Sequence, residues 1–273
     1  MNEIETDVVV VSSTAPSHVS NCLSIISNKF ARTILVEKPI STNLPEARTL
    51  LENTRPSSWT DGSIGVDFVR RCSRLYNDVR EVIVSGELGP VAQAVYSRPV
   101  KVSMTGSHYI DLANWLIGTA PIGVTADLDR ASTIDHRGAW YYDPSGIVEV
   151  TYENGVTFIL DAHGNISGFD QGLTVVCEKG RIFVDVAESR AVVTKDRVTT
   201  DIASDKQGPG YNWFVNTLTA TVGIGQAFLP CTVEESITCL EIVIAAHLSS
   251  KNGGQQVAVP VGSVYNSQHL RVA

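Results

Sequence analysis

The sequence predicts an α/β plus α+β protein, in which a partial, Rossmann-like parallel sheet is followed by a domain with a large, mainly antiparallel sheet. Three observations predict it. Asp7 to Ser13 (DVVVVSS) is a β-branched run without polar alternation, the pattern of a strand covered on both faces. Helical and strand periods then alternate up to about residue 98. Beyond that point strand-like segments follow one another across turn pairs such as Asn154-Gly155 and Lys179-Gly180, as antiparallel hairpins require.

Taken in order, Asp7 to Ser13 is the first strand, and Pro16 to Phe30 is a helix with Val19, Cys22, Leu23 and Ile26 on its apolar side. Thr33 to Val36 (TILV) is the second strand, completing a β-α-β unit. Asn43 to Asn53 is a helix with Pro45 in its first turn, where the missing N–H costs nothing. Ser63 to Phe68 is a third strand, Arg71 to Ser85 a helix closed by Gly86, and Pro90 to Arg98 a strand. Six further strands are expected at 123–129, 146–152, 156–162, 173–177, 181–186 and 191–194. Helices over Trp213 to Val222 and Val233 to Ser250 close the chain, the second opened by the capping box Thr232/Glu235.

Length and composition suit two domains, placed at residues 1–95 and 96–273: of 273 residues, 43% are hydrophobic and 18% charged. A net charge of −8 without any Lys/Arg cluster argues against a nucleic-acid partner and for a small molecule. No basic-then-apolar leader opens the sequence and no apolar run reaches the roughly 18 residues of a membrane span, so a cytoplasmic protein without a membrane partner is expected. Five cysteines without Cys-x-x-Cys spacing suggest free thiols, not a disulfide framework or zinc site.

Dinucleotide-binding sheets hold the pyrophosphate on a Gly-x-Gly-x-x-Gly turn after the first strand. Here the nearest approximations, Gly208-Pro-Gly210, Gly223-Ile-Gly225 and Gly253-Gly254, all lie late and follow no buried strand. The expectation is therefore no dinucleotide of the chain's own, with NAD(P) as the alternative. Lys38 follows the TILV strand in Val36-Glu37-Lys38-Pro39, at the carboxyl edge where open α/β sheets bind ligands. It reads as a proton-transfer or hydroxyl-binding cation, or as a solvated lysine paired with Glu37. In the helix beginning Gly106-Ser107-His108, the residues His108, Asp111 and Trp115 share a face at i, i+3 and i+7. His108 and Asp111 read as a base with its orienting acid, or as polar groups satisfying the helix N-terminus. No third ligand at diagnostic spacing supports a metal.

Read together, these segments resemble the Gfo/Idh/MocA family of NAD(P)-dependent sugar and cyclitol dehydrogenases. DVVVVSSTAPSH resembles the family's fourth-strand segment ending in a histidine, here His18; VEKPIS resembles its Glu-Lys-Pro signature, and SGELGPV its helix-to-sheet turn. GSHYIDLANWLIG resembles the start of its catalytic-domain helix, and YENGVTF, CEKGRIFVD and Gly253-Gly254 before VAVPV resemble later landmarks. The resemblance implies that Lys38 and His108 are active-site groups and that Asp111, with Tyr109 beside it, binds substrate hydroxyls. It also implies that Ser13, His18, Glu37 and Pro39 wall the cofactor side. Two departures stand out: Met104 occupies the place of the family's aspartate four residues before the histidine, and the chain begins at the equivalent of the fourth strand. On these departures the expected function is redox-neutral acid/base chemistry on a sugar-like molecule (elimination, isomerisation or cyclisation) through Lys38 and His108. The alternatives are a dehydrogenase completed by another chain or a longer start, and a catalytically silent subunit. The first strand would form an exposed hydrophobic edge, for which a homo-oligomer is the expected cover.

Overall fold

The strand TDVVVV, Thr6–Val11 (β1), pairs in parallel with Ala31–Glu37 (β2), which pairs in parallel with Ser63–Asp67 (β3). The computed structural model describes residues 6–54, 62–129, 141–204, 215, 219, 229–265 and 267–272. β2 is central: Ile34, Leu35 and Val36 are buried completely, as a strand between two neighbours and covered on its faces must be. β1 is the outer strand among the described residues, and Val10 on it is 53% exposed. His18–Asn28 (α1) covers the sheet with Val19, Cys22, Ile25 and Ile26, one stripe at helical spacing. Leu44–Asn53 (α2) begins at Asn43, whose side chain accepts the Glu46 amide at 3.0 Å, and the Glu46 carboxylate in turn receives the Ser41 hydroxyl.

The chain then leaves the parallel sheet through Arg74–Ser85 (α3), stopped by Gly86 at φ 73°, a left-handed position that favours glycine. Val91–Ser97 (β4) enters a nine-stranded sheet, completed by Pro121–Leu128 (β5), Gly146–Tyr152 (β6), Thr157–Asp161 (β7), Gly172–Cys177 (β8), Gly180–Asp185 (β9), Arg190–Lys195 (β10), Val198–Ser204 (β11) and Val257–Ala258 (β12). Its order is β11-β10-β9-β8-β4-β7-β6-β5-β12. All pairs are antiparallel except β4 with β7, so the sheet is mixed. One face is apolar, with Val148, Val150, Tyr152, Phe158 and Leu160 fully buried. Against this sheet lie Ser107–Ile117 (α4) and Val233–Lys251 (α5), and α5 also packs on α2. α5 is buried on almost every side because it sits between the two sheets, and its Glu241 is tied to Arg48 of α2 at 2.8 Å.

Several expectations are corrected. The helix expected from Arg71 begins at Arg74, because residues 69–72 form a tight 3₁₀ turn that carries Arg70 and Arg71 away from the helix axis. The change of sheet falls ahead of β4, which lies wholly in the large sheet, so the expected boundary at residue 95 would cut that strand. β11 was not foreseen: polar residues interrupt the alternation of VTTDIAS, in which Ile202 packs against the core while the backbone pairs with β10. The helix expected over Trp213 to Val222 lies outside the described residues apart from Val215 and Thr219. None of the described helices is long and apolar enough to cross a membrane.

Candidate active site

The carboxyl end of β2 delivers Glu37 and Lys38, and the Lys38–Pro39 peptide is cis. His18, 1% exposed at the start of α1, bridges two strand ends: Nδ1 lies 2.8 Å from the Pro39 carbonyl and Nε2 lies 2.9 Å from the Ser13 carbonyl. The Ser13 hydroxyl receives Ser17 and Asn21, each at 2.9 Å. These contacts fix the direction in which Lys38 leaves the sheet. Its ammonium donates to the Met104 carbonyl across the interface between the two sheets.

Met104 lies in a wide π-type turn, Val102–Gly106, that leads into α4. A Cβ on Gly106 would stand 2.8 Å from Leu160 Cδ2, so the end of that side chain packs close against the turn. Two residues on, His108 packs edge-to-face on Phe68, with ring centroids 5.7 Å apart, and its buried Nδ1 has no hydrogen-bond partner. Burial, then the Arg70 and Lys38 cations, hold the His108 imidazole well below its ordinary range, so at neutral pH it is an uncharged base. Burial likewise lowers Lys38; Glu37 and Asp143 oppose this and Arg70 adds to it.

Three further groups complete the site. Arg70 donates to the Tyr109 hydroxyl at 3.3 Å, and its guanidinium sits 4.4 Å over that ring. Asp67, at the carboxyl end of β3 in register with Glu37, is pushed up to about 7 by burial and then by Glu37, with Lys38 opposing; its buried Oδ1 has no partner. Asp143 accepts the amides of Ser103 and Met104 at 2.7 and 2.8 Å. Sequence reasoning missed all three. Arg70 and Asp67 flank Phe68 directly after a buried strand, a signal that could have found them, whereas nothing local marks Asp143.

The expected substrate contacts of Asp111 and Tyr109 are not what the geometry gives. Both are 1% exposed. Asp111 is gripped by Arg71 through two hydrogen bonds of 2.8 and 2.7 Å, and Arg71 also reaches Glu235 at 2.7 Å. Burial raises Asp111 to about 6 against the pull of Arg71. Tyr109 stacks on Tyr96 with centroids 3.5 Å apart. Trp115 lies under Arg80, so the face His108, Asp111, Trp115 does not converge on one site. The physical reason is that α4 is enclosed on several sides, and neighbouring positions on it meet different partners. A cavity of about 630 Å³ lies along α5 and is lined by Tyr142, His247, Lys251 and Arg271, with neither Lys38 nor His108 in its wall. Among the described residues no group of three or more His, Cys, Asp or Glu side chains could hold a metal ion.

At the carboxyl edge, then, are an uncharged base, two cations and two orphaned buried polar atoms, His108 Nδ1 and Asp67 Oδ1. These fit the nicotinamide side of a dinucleotide together with a hydroxylated substrate, at the strand ends where such ligands bind. A model for the GFO/IDH/MocA C-terminal domain matches residues 102–183, which include the π-type turn, His108 and strands β5 to β8. That segment is similar to the C-terminal domain of the Gfo/Idh/MocA family. Among curated relatives, the Myo-inositol 2-dehydrogenase of Thermotoga maritima is 26% identical over 214 residues, covering 70% of this chain and 60% of that protein. The Inositol 2-dehydrogenase of Salmonella typhimurium is 25% identical over 218 residues, covering 75% and 62%. The chain thus matches about 60% of the length of these relatives. Among solved structures, an oxidoreductase from Agrobacterium radiobacter in complex with NAD+, L-tartaric acid and magnesium superposes with a TM-score of 0.73 at 17% identity, covering 93% of this chain and 80% of that one. An inositol dehydrogenase homolog from Azotobacter vinelandii complexed with NADH and myo-inositol gives 0.72 at 14% identity, covering 92% and 78%. These structures establish the Gfo/Idh/MocA fold of the chain. The curated relatives overturn the expectation of redox-neutral chemistry without a dinucleotide, because they are named as dehydrogenases.

Proposed function

We propose that this chain of Gfo/Idh/MocA fold serves NAD(P)-dependent oxidation of a ring hydroxyl on a cyclitol or similar polyol. The observation that carries the reading is His108: an uncharged imidazole with an unpartnered nitrogen, beside the Lys38 and Arg70 cations at the sheet's carboxyl edge. NAD(P)+, when bound, would supply the hydride acceptor. Lys38 and the walls formed by Ser13, His18, Glu37 and Pro39 would hold its nicotinamide side. His108 takes the proton of the substrate hydroxyl, and Lys38 with Arg70 stabilises the negative charge that develops on that oxygen. The carbon loses hydride, the oxygen loses a proton, and a ketone results. Names of relatives support a cyclitol as substrate class.

The test is reduction of NAD+ or NADP+ by the protein with myo-inositol, followed by nicotinamide absorbance. Lys38→Ala and His108→Ala are expected to lower kcat/KM by about 10²–10⁴-fold each, with the unfolding transition preserved. Absence of turnover across a panel of cyclitols and aldoses, with no nicotinamide binding at millimolar concentration, would defeat the proposal, as would full activity in either variant.

A further inference from the structure

Asp143 has no part in the chemistry above, yet it is a carboxylate held 4% exposed in the segment leading into β6. Burying such a charge is costly unless hydrogen bonds and an opposite charge compensate it. Its two oxygens accept the Ser103 and Met104 amides, one each. Those amides open the π-type turn, and the carbonyl of the same Met104 accepts the Lys38 ammonium. One residue is therefore held at its N–H by Asp143 and at its C=O by Lys38.

The charges around Lys38 point the same way. Glu37 adjoins it on β2, Asp67 faces it from β3, Arg70 follows on the 3₁₀ turn, His108 and Cys239 face it from α4 and α5, and Asp143 faces it from the segment before β6. Glu37 and Asp143 favour the ammonium, while burial and Arg70 oppose it. Lys101 is the other cation beside Asp143.

We propose that Asp143 is a positioning residue for Lys38: it fixes the turn whose carbonyl holds the ammonium, and it supplies buried negative charge that balances it. This rests on Lys38 being the active-site lysine of the reading above. Removing the charge while keeping the shape, in Asp143→Asn, also turns an amide NH₂ toward a backbone N–H. Lys38 then deprotonates more readily and its carbonyl anchor loosens.

The experiment measures the pH dependence of Lys38 acylation by a water-soluble N-hydroxysuccinimide ester, read by peptide mass spectrometry on the whole protein, so that no turnover is needed. In Asp143→Asn the midpoint should fall by about one pH unit. In the turnover assay kcat should fall roughly 10–100-fold, with its pH profile displaced in the same direction and KM changed far less. Should that variant fail to fold, the reciprocal coupling remains measurable. In Lys38→Met the Asp143 carboxyl, followed by ¹³C NMR, should titrate higher than in the wild type by a comparable amount. An unmoved Lys38 midpoint in folded Asp143→Asn, or an unmoved Asp143 titration in Lys38→Met, overturns the proposal. A protein that never reduces NAD(P)+ but shows both displacements would defeat the dehydrogenase reading alone.

Discussion

Arg70 and Arg71 are consecutive residues in one 3₁₀ turn, and they end in opposite electrical settings. Arg71 is 4% exposed and spends its guanidinium on Asp111 and Glu235, in a bidentate pair extended to a triad. Arg70 is half-buried, touches a phenol, and faces Lys38 and His108 with no carboxylate bonded to it among the described residues. The same contrast separates His108 from Asp111, three residues apart on α4. The paired cluster joins the 3₁₀ turn, α4 and α5 and leaves nothing over for a ligand. The unpaired cluster has a guanidinium with no carboxylate bonded to it among the described residues and an orphaned nitrogen, which a protein that needed only stability would not keep.

The contrast can be broken by substitution. The largest effect is expected at the paired cluster, where Asp111→Ala leaves Arg71 buried without its main partner and should cost about 3–5 kcal/mol in denaturant unfolding. A loss under about 1 kcal/mol would show that the pair is not structural. Next comes Asp67, whose carboxyl is pushed up to about 7 in the folded state. A raised carboxyl pKa favours folding fully below the unfolded value and loses that contribution as pH rises through the folded one. Asp67→Asn should therefore match the wild type near pH 4 and exceed it by roughly 2–4 kcal/mol near pH 8.5. Equal stabilities at both pH values would remove the claim that Asp67 is held against its charge. A local control sits in the capping box of α5, where Thr232→Ala should cost about 1 kcal/mol and leave both clusters intact. Smallest is Arg70→Met, which relieves an unpaired cation and should change stability by under about 1 kcal/mol while reducing turnover. If Arg70→Met proved as damaging to folding as Asp111→Ala, the distinction between the two clusters would collapse.

What was legible in the sequence follows from the range over which its signals act. β1 and β2 announce themselves through DVVVV and TILV because a strand covered on both faces can admit little polarity. Lys38 was legible for a related reason: a charged residue placed directly after such a strand, and before a proline, stands at an edge. The partners of α4 were not, since i, i+3, i+7 spacing defines a face only relative to one neighbour, and α4 meets β4, β7, α5 and the 3₁₀ turn. Asp143 was invisible because its role depends on amides 40 and 39 positions away. The missing glycine turn points away from a dehydrogenase, whereas the curated relatives are named as dehydrogenases.

The place of β4 in the large sheet bears on how the chain is made. It lies between β7 and β8, so both its neighbours come from later in the chain, beginning at Thr157 and Gly172. During synthesis at about 5–20 residues per second, β4 waits several seconds with Ala94, Val95 and Tyr96 uncovered before either partner exists. Long-range pairing of this kind slows folding. Residues 91–97 therefore stay uncovered on the ribosome until those partners emerge.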